Sequence, residues 1–312
     1  MNNNEIWSYR QCLDGVVERT VKIKAKRSGK PLRIAHLTDL HFNYCNQADI
    51  EENDPVLMST YEHREWLKNG SSLENAKRTL EHAKGADAIV ITGDILDYLS
   101  HGCEELTVEH IFKPYPNVIA SLGNHETARK VQGLYPDKMS PAKKEEWLKS
   151  FWPNDLNYSS IVLDDRVMLI QLNNCAFNFY FNESQIEPFK RDLKIAREND
   201  YVVLMFFHVN LATENPSYKQ SHSTRVGDAN SKIFDLCSYG MSEQSGGGSK
   251  EICTLIKNNA DIISACFCGH LHADHYSEIK AHTHDGRDAL IPQYILTGTP
   301  YGKGNLLNIE IL

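Results

Sequence analysis

Five apolar runs in this 312-residue chain end on groups that bind cations or carry protons. The run at 32–38 ends in Asp39-Leu40-His41, the next in Gly93-Asp94, a third in Asn124-His125, a fourth in His208 and the last in His270-Leu271-His272. Residues i and i+2 share a face of an extended chain, so Asp39 and His41 leave the first strand side by side. With His125 set aside, the donors are Asp39, His41, Asp94, Asn124, His208, His270 and His272. Oxygen and imidazole donors without a thiolate suit borderline first-row cations (manganese, iron or zinc, with manganese favoured) and not calcium. The set is too large for one catalytic ion that keeps an open position. It suits two ions, each also bound to solvent or substrate. Two ions need an anion between them, and Asp94 fits that place, with the ions on the order of 3.5–4 Å apart.

Each signal is weak alone. A lone strand-end histidine is usually structural, and an aspartate after glycine is usually a turn. The expectation rests on the same chemistry recurring at every strand end. His63, His82, His101, His110, His222, His282 and His284 lie in helices or polar loops and read as incidental. His275 sits in the following strand and stays outside the set.

For these groups to meet, the strands must deliver their ends to one edge of a sheet. Residues 32–38 and the run "ADAIVITGD" flank a helix whose stripe is Leu73, Ala76, Leu80 and Ala83, with Ser71 and Glu74 at capping-box spacing. Strand, helix, strand predicts a βαβ unit and parallel pairing. "NVIASLGNHE" is a further strand, and "VMLIQLNN" pairs with "YSSIVLD" through a turn at Asp164-Asp165. Ser184 and Glu187 have capping-box spacing before a stripe of Ile186, Phe189, Leu193 and Ala196. "YVVLMFFHVN" and "DIISACFCGHLH" are buried strands. "TVKIKAK", 20–26, reads as an edge strand with Val21, Ile23 and Ala25 inward and lysines in water. The tail 275–312 reads as short strands with a turn at "DGR", an antiparallel finish. Segments at about 43–70, 127–156 and 209–249 read as insertions that could wall or cover a site; the first is polar and irregular, and the second holds a helix capped by Ser140 with Pro141 in its first turn.

"DLH", "GDILD", "GNHE", the lone His208 and "GHLH" together resemble the calcineurin-like metallophosphoesterases, in order and over residues 39–272. The resemblance implies one α/β domain over 1–312, a four-layer sandwich of two mixed β-sheets flanked by helices, with the site at the strand ends. It implies that Asp39, His41 and His272 bind one ion, that Asn124, His208 and His270 bind the other, and that Asp94 bridges them. His125 resembles the non-ligand histidine that contacts the phosphate. The family's third motif often reads GNHD; here Glu126 stands last, and the expectation is that its longer arm still supports His125. The implied activity is hydrolysis of a phosphoester by a hydroxide bridging two metal ions, which lower the pKa of a shared water toward roughly 7, with His125 as acid or transition-state contact.

The remaining composition narrows the partners. A net charge of -8 with no obvious basic tract argues against nucleic acid, so the nuclease alternative is disfavoured. A non-catalytic metal-bearing scaffold is a second alternative, opposed by the complete donor set. The expected substrate is a small phosphorylated molecule, a nucleotide included. Phe177, Phe179, Tyr180 and Phe181 could stack on a base, but packing is the favoured reading. The start lacks a signal-peptide core, no stretch reaches a membrane span, and the eight cysteines read as reduced thiols. Together these lead to the expectation of a cytoplasmic protein without membrane contact. Oligomeric state leaves no mark in the sequence.

Overall fold

The computed structural model describes residues 7–64, 71–129, 137–213 and 240–312. Its strands are β1 (Ser8–Gln11), β2 (Val17–Ile23), β3 (Leu32–Leu37), β4 (Ala88–Thr92), β5 (Val118–Ser121), β6 (Tyr158–Leu163), β7 (Val167–Leu172), β8 (Val202–Phe206), β9 (Ile263–Cys268), β10 (His275–His282), β11 (Asp288–Ile295) and β12 (Asn305–Ile311). They form two six-stranded sheets, ordered β1-β2-β12-β3-β4-β5 and β10-β11-β9-β8-β7-β6. Both are mixed. β3, β4 and β5 run parallel in the first, and β7, β8 and β9 run parallel in the second.

Side-chain alternation builds three apolar layers. Ile34, Val90, Leu169, Leu204, Phe267 and Leu307 meet between the sheets. The intervening residues Ile89 and Ile91 of β4 point the other way, against Ala76, Leu80 and Ala83 of the helix Ser71–Ala83. On the far side Ile170, Met205 and Cys266 meet Phe189, Leu193 and Ala196 of the helix Ile186–Glu198. Because both faces of each sheet are covered, β4, β7 and β8 are buried along their whole length. Helix, sheet, sheet and helix make the expected α/β four-layer sandwich.

Several local expectations change. β2 carries Val21 and Ile23 inward, with Ala25 buried just beyond it, but β2 is not an edge: β1 covers one side and β12 pairs parallel on the other. Within the tail only β10 and β11 pair with each other; β12 leaves for the first sheet, between β2 and β3. Residues 43–64 are not irregular. Asn46 and Asp49 form a capping box for the helix Gln47–Glu52, and Asp54 caps the helix Pro55–His63 with Pro55 in its first turn. The helix Ile186–Glu198 is preceded by an Asn182/Gln185 box on a 3-10 turn, not opened by Ser184 and Glu187. Ser140 and Pro141 start the helix Pro141–Phe151 as expected. The helix Ser71–Ala83 carries Glu74 in its first turn, and the expected cap at its start lies outside the described residues. His222 and much of the 209–249 insertion also lie outside them.

Candidate metal centre

The parallel strands bring their C-terminal ends to one edge of the sandwich, and backbone hydrogen bonds lock the turns that follow. The Asp39 and His41 amides donate to the carbonyls of Gly93 and Asp94 at 3.0 and 2.9 Å, and the Gly269 amide donates to the His208 carbonyl at 3.0 Å. Asp39, His41, Asp94, His270 and His272 all have φ between 49° and 70°. Residues with a Cβ avoid this left-handed region, and where it persists the surroundings must impose it. Here it swings each donor off the strand axis into a shared volume. Two motif glycines make the approach possible. A Cβ on Gly123 would lie 2.1 Å from Asp94 Oδ1, and one on Gly269 would lie 1.8 Å from Thr38 Oγ1 and 2.5 Å from Asp39 Oδ2.

Donor atoms of Asp39, His41, Asp94 and His272 lie within 4.8 Å of one another, and those of Asp94, His208 and His270 form a second such group. Asp94 belongs to both. In the first group His272 Nε2 is 3.0 Å from Asp39 Oδ1 and 3.1 Å from His41 Nε2. In the second His208 Nε2 is 3.2 Å from Asp94 Oδ2. Donors at about 2.1 Å from one cation lie about 3.0–3.4 Å from each other, so these spacings fit a shared ion in each group. Asn124 sits between Gly123 and His125, and the His125 amide donates to Asp94 Oδ1 at 2.9 Å. Asn124 Oδ1 is buried without a hydrogen-bond partner, and His208 Nε2, equally buried, faces Asp94 Oδ2. A buried orphan acceptor is costly unless something positive faces it. The residues present fit cations.

In His208, His41 and His272 the other ring nitrogen is engaged, which turns Nε2 inward. His208 Nδ1 lies 2.6 Å from the Thr92 carbonyl, His41 Nδ1 lies 2.9 Å from Asp97 Oδ1, and His272 Nδ1 lies 2.6 Å from Tyr301 Oη. Thr38 Oγ1 donates to Asp39 Oδ2 at 2.7 Å, as does the His270 amide at 3.0 Å.

The electrostatics ask for positive charge. Burial alone would raise the Asp39 carboxyl, but His272 and His41 hold it well below the usual carboxylate range. Asp94 is likewise depressed against burial by His208 and His125. Burial disfavours charged imidazoles, yet Asp39 and Asp97 push His41 up to about 10, and Asp94 pushes His208 up to about 9. His270, facing burial and then the neighbouring His208, falls to about 4. His125 is raised against burial by Asp94 and by its bond to Asp97.

His125 stands beside the centre, its ring 4.6 Å from that of His41 and its Nε2 3.9 Å from Asp94 Oδ2. Its side chain keeps 14% exposure and that of His272 17%, whereas Asp39, His41 and His208 are at 0%. The centre therefore opens to solvent on the side of His125 and His272. His275 belongs to neither donor group.

The expected support of His125 by Glu126 is corrected. Glu126 accepts the amides of Asp94, Ile95, Leu96 and Gly123 at 2.6–3.1 Å, which ties the second motif to the third. Burial and the Asp94 charge push its carboxyl up to about 7, against the amides of Gly123 and Leu96. His125 is oriented by Asp97 instead: its Nδ1 is 2.7 Å from the Asp97 carbonyl and 3.4 Å from Asp97 Oδ1. Arg64 grips Asp97 with two bonds, at 2.8 and 2.6 Å. Asp97 stands in "GDILD", three residues past Asp94, and was visible in the motif without a role. Arg64 and Tyr301 come from insertions and loops with no sequence signal.

Residues 32–274 match the family model of the calcineurin-like phosphoesterases. The chain belongs to this family, and its His/Asp cluster forms a candidate metal site. No curated protein matches the chain. Among solved structures it is similar to a purple acid phosphatase from yellow lupin (Lupinus luteus), at 9% identity and a TM-score of 0.49 over 94% of this chain and 49% of that one. It is also similar to a dimetal phosphatase from Danio rerio, at 11% identity and a TM-score of 0.48 over 86% of this chain and 88% of that one. A third is the NAD nucleotidase of Haemophilus influenzae, at 12% identity and a TM-score of 0.37 over 87% and 46%. The chain thus spans about half the length of the lupin and Haemophilus proteins.

Proposed function

We propose that the protein hydrolyses a phosphoester of a small molecule, a nucleotide included, at a centre holding two cations that share Asp94. The observation that carries this reading is the pair of donor groups meeting at one carboxylate. Cations bound there would neutralise the phosphoryl oxygens and acidify a water. In this reading Asp39, His41 and His272 hold one ion, Asn124, His208 and His270 hold the other, and manganese, iron or zinc suits the set. Asp97 and Thr92 fix the tautomers of His41 and His208, so that both present a lone pair inward. His125 stands on the open side with its Nδ1 tied to Asp97, so its Nε2 can carry a proton to the leaving oxygen or bond a phosphoryl oxygen. Arg64 balances Asp97 and keeps it from drawing that proton away.

The test is reconstitution with each metal, followed by assay against phosphomonoesters and phosphodiesters with bound metal quantified. Turnover that needs about two equivalents of metal supports the reading. Metal-loaded protein inert toward every ester would point to the scaffold alternative, and salt-sensitive cleavage of DNA or RNA to the nuclease alternative. The same proposal places the protein in the cytoplasm; the described cysteines are all free, in keeping with a reducing compartment.

A further inference from the structure

The segment after β7 leaves the core, returns to it, and lifts one aromatic ring out between. Asn173 Oδ1 accepts the amides of Cys175 and Ala176 at 3.2 and 3.0 Å, and both residues are buried. Phe177 turns the chain with φ 52°. Phe181 re-enters the core at 0% exposure, its ring 5.8 Å from Phe207 and edge-on to it. Its amide donates to Ser249 Oγ at 3.0 Å, and its carbonyl accepts the Gly248 amide at 2.7 Å. Between these anchors Phe179 is 52% exposed. Its ring centroid lies 6.2 Å from that of His270, with the planes at 61°.

Packing, the reading favoured from sequence, accounts for Phe181. It does not account for Phe179. Single exposed apolar side chains are ordinary on protein surfaces, so exposure alone says little. Position says more. Among the exposed large apolar side chains described, Phe179 is the one whose ring meets a donor of the metal centre. It is held there by a segment pinned at both ends.

We propose that Phe179 is the stacking face of a subsite for a planar aromatic group carried by the substrate, a nucleobase or an aryl leaving group. The proposal rests on the phosphoester hydrolysis described above. A phosphoryl group held beside His270 leaves its substituent within a few bonds of the Phe179 ring. Stacking uses the face that every base and aryl ring possesses. It therefore separates planar from aliphatic esters and does not separate one base from another.

The experiment compares metal-loaded wild type, Phe179→Ala and Phe179→Trp on three kinds of ester: nucleotides, p-nitrophenyl esters and glycerol phosphates, each as mono- and diester. The quantity read is the ratio of aromatic to alkyl kcat/KM, which cancels differences in leaving-group reactivity when variants are compared. Loss of one stacked ring corresponds to about 5- to 150-fold. Phe179→Ala is expected to lower the ratio about tenfold or more, mainly through KM, and Phe179→Trp to restore it. A fall confined to nucleotides identifies a base as the stacked group, and a fall confined to p-nitrophenyl esters an aryl one. An unchanged ratio overturns the proposal. If wild type hydrolyses none of the esters, the hydrolase reading fails first, and binding decides the subsite separately. Adenosine monophosphate should then bind Phe179→Ala at least tenfold more weakly than wild type, with glycerol phosphate as the comparison. Equal binding of the nucleotide would refute the stacking role.

Discussion

Replacing Asp94 with alanine removes the carboxylate that both donor groups use, and leaves His41, His125 and His208 facing one another without their shared anion. Metal content and turnover should fall together, as read by elemental analysis beside the ester assay. His125→Ala is expected to behave differently. His125 lies outside both Asp94 groups and is tied to Asp97, so the variant should bind metal normally and lose roughly 10²–10⁴-fold in kcat. Undiminished turnover would remove it from the mechanism. Tyr301→Phe takes the hydroxyl from His272 Nδ1. Loss of such an orienting partner typically costs 10–100-fold in metal affinity or activity, and a metal titration reads it. The donors were legible because their types are unusual at the ends of apolar runs. Tyr301 was not: it lies 29 positions from His272 in sequence, and nothing local to it announces the contact.

Among the elements, the turns after the strands carry the strain. Gly269 is flanked by Thr38 and Asp39 at distances no Cβ tolerates. Gly269→Ala must push the "GHLH" turn away from β3, at a cost of about 1–3 kcal/mol by analogy with overpacked cores. Lower denaturation midpoint and weaker metal binding should appear together; a variant with native metal affinity would show that the turn can yield without disturbing His270 and His272. Glu126 acts at the same scale. It gathers amides from two turns, so Glu126→Ala would strand buried N–H groups worth about 1–3 kcal/mol each. The strands were readable as apolar runs and the helices from their apolar stripes, with the cap at Ser140 as read. Their edges were less so. β2 looked like an edge because lysines alternate along one of its faces, but lysines on a solvent-facing surface say nothing about which strands flank it.

For the whole molecule, folding places Asp39, Asp94 and Asp97 at 0–2% side-chain exposure in one region. Among the described residues, Asp97 is the one of the three paired with an arginine. Bound cations would balance the others, so chelation should lower the melting temperature at neutral pH and metal should restore it. Free metal at about 100 times its Kd would add ~2.7 kcal/mol. Calorimetry with and without chelator checks this, and an unchanged melting temperature would mean that the fold tolerates these carboxylates without cations.

Chemistry and order along the chain were determined by sequence alone: which residues can hold a cation, that continuous apolar runs precede them, and that their order resembles one family. These are properties of single residues and short windows, where side-chain type and local periodicity decide. Tertiary structure decided the rest. It sent β12 to the first sheet, gave His125 to Asp97 in place of Glu126, drew Arg64 onto Asp97 and left Phe179 in solvent beside His270. Each of these depends on which distant segments pack together, and that is settled by the joint burial of three apolar layers, to which no single stretch of chain contributes enough to reveal the outcome.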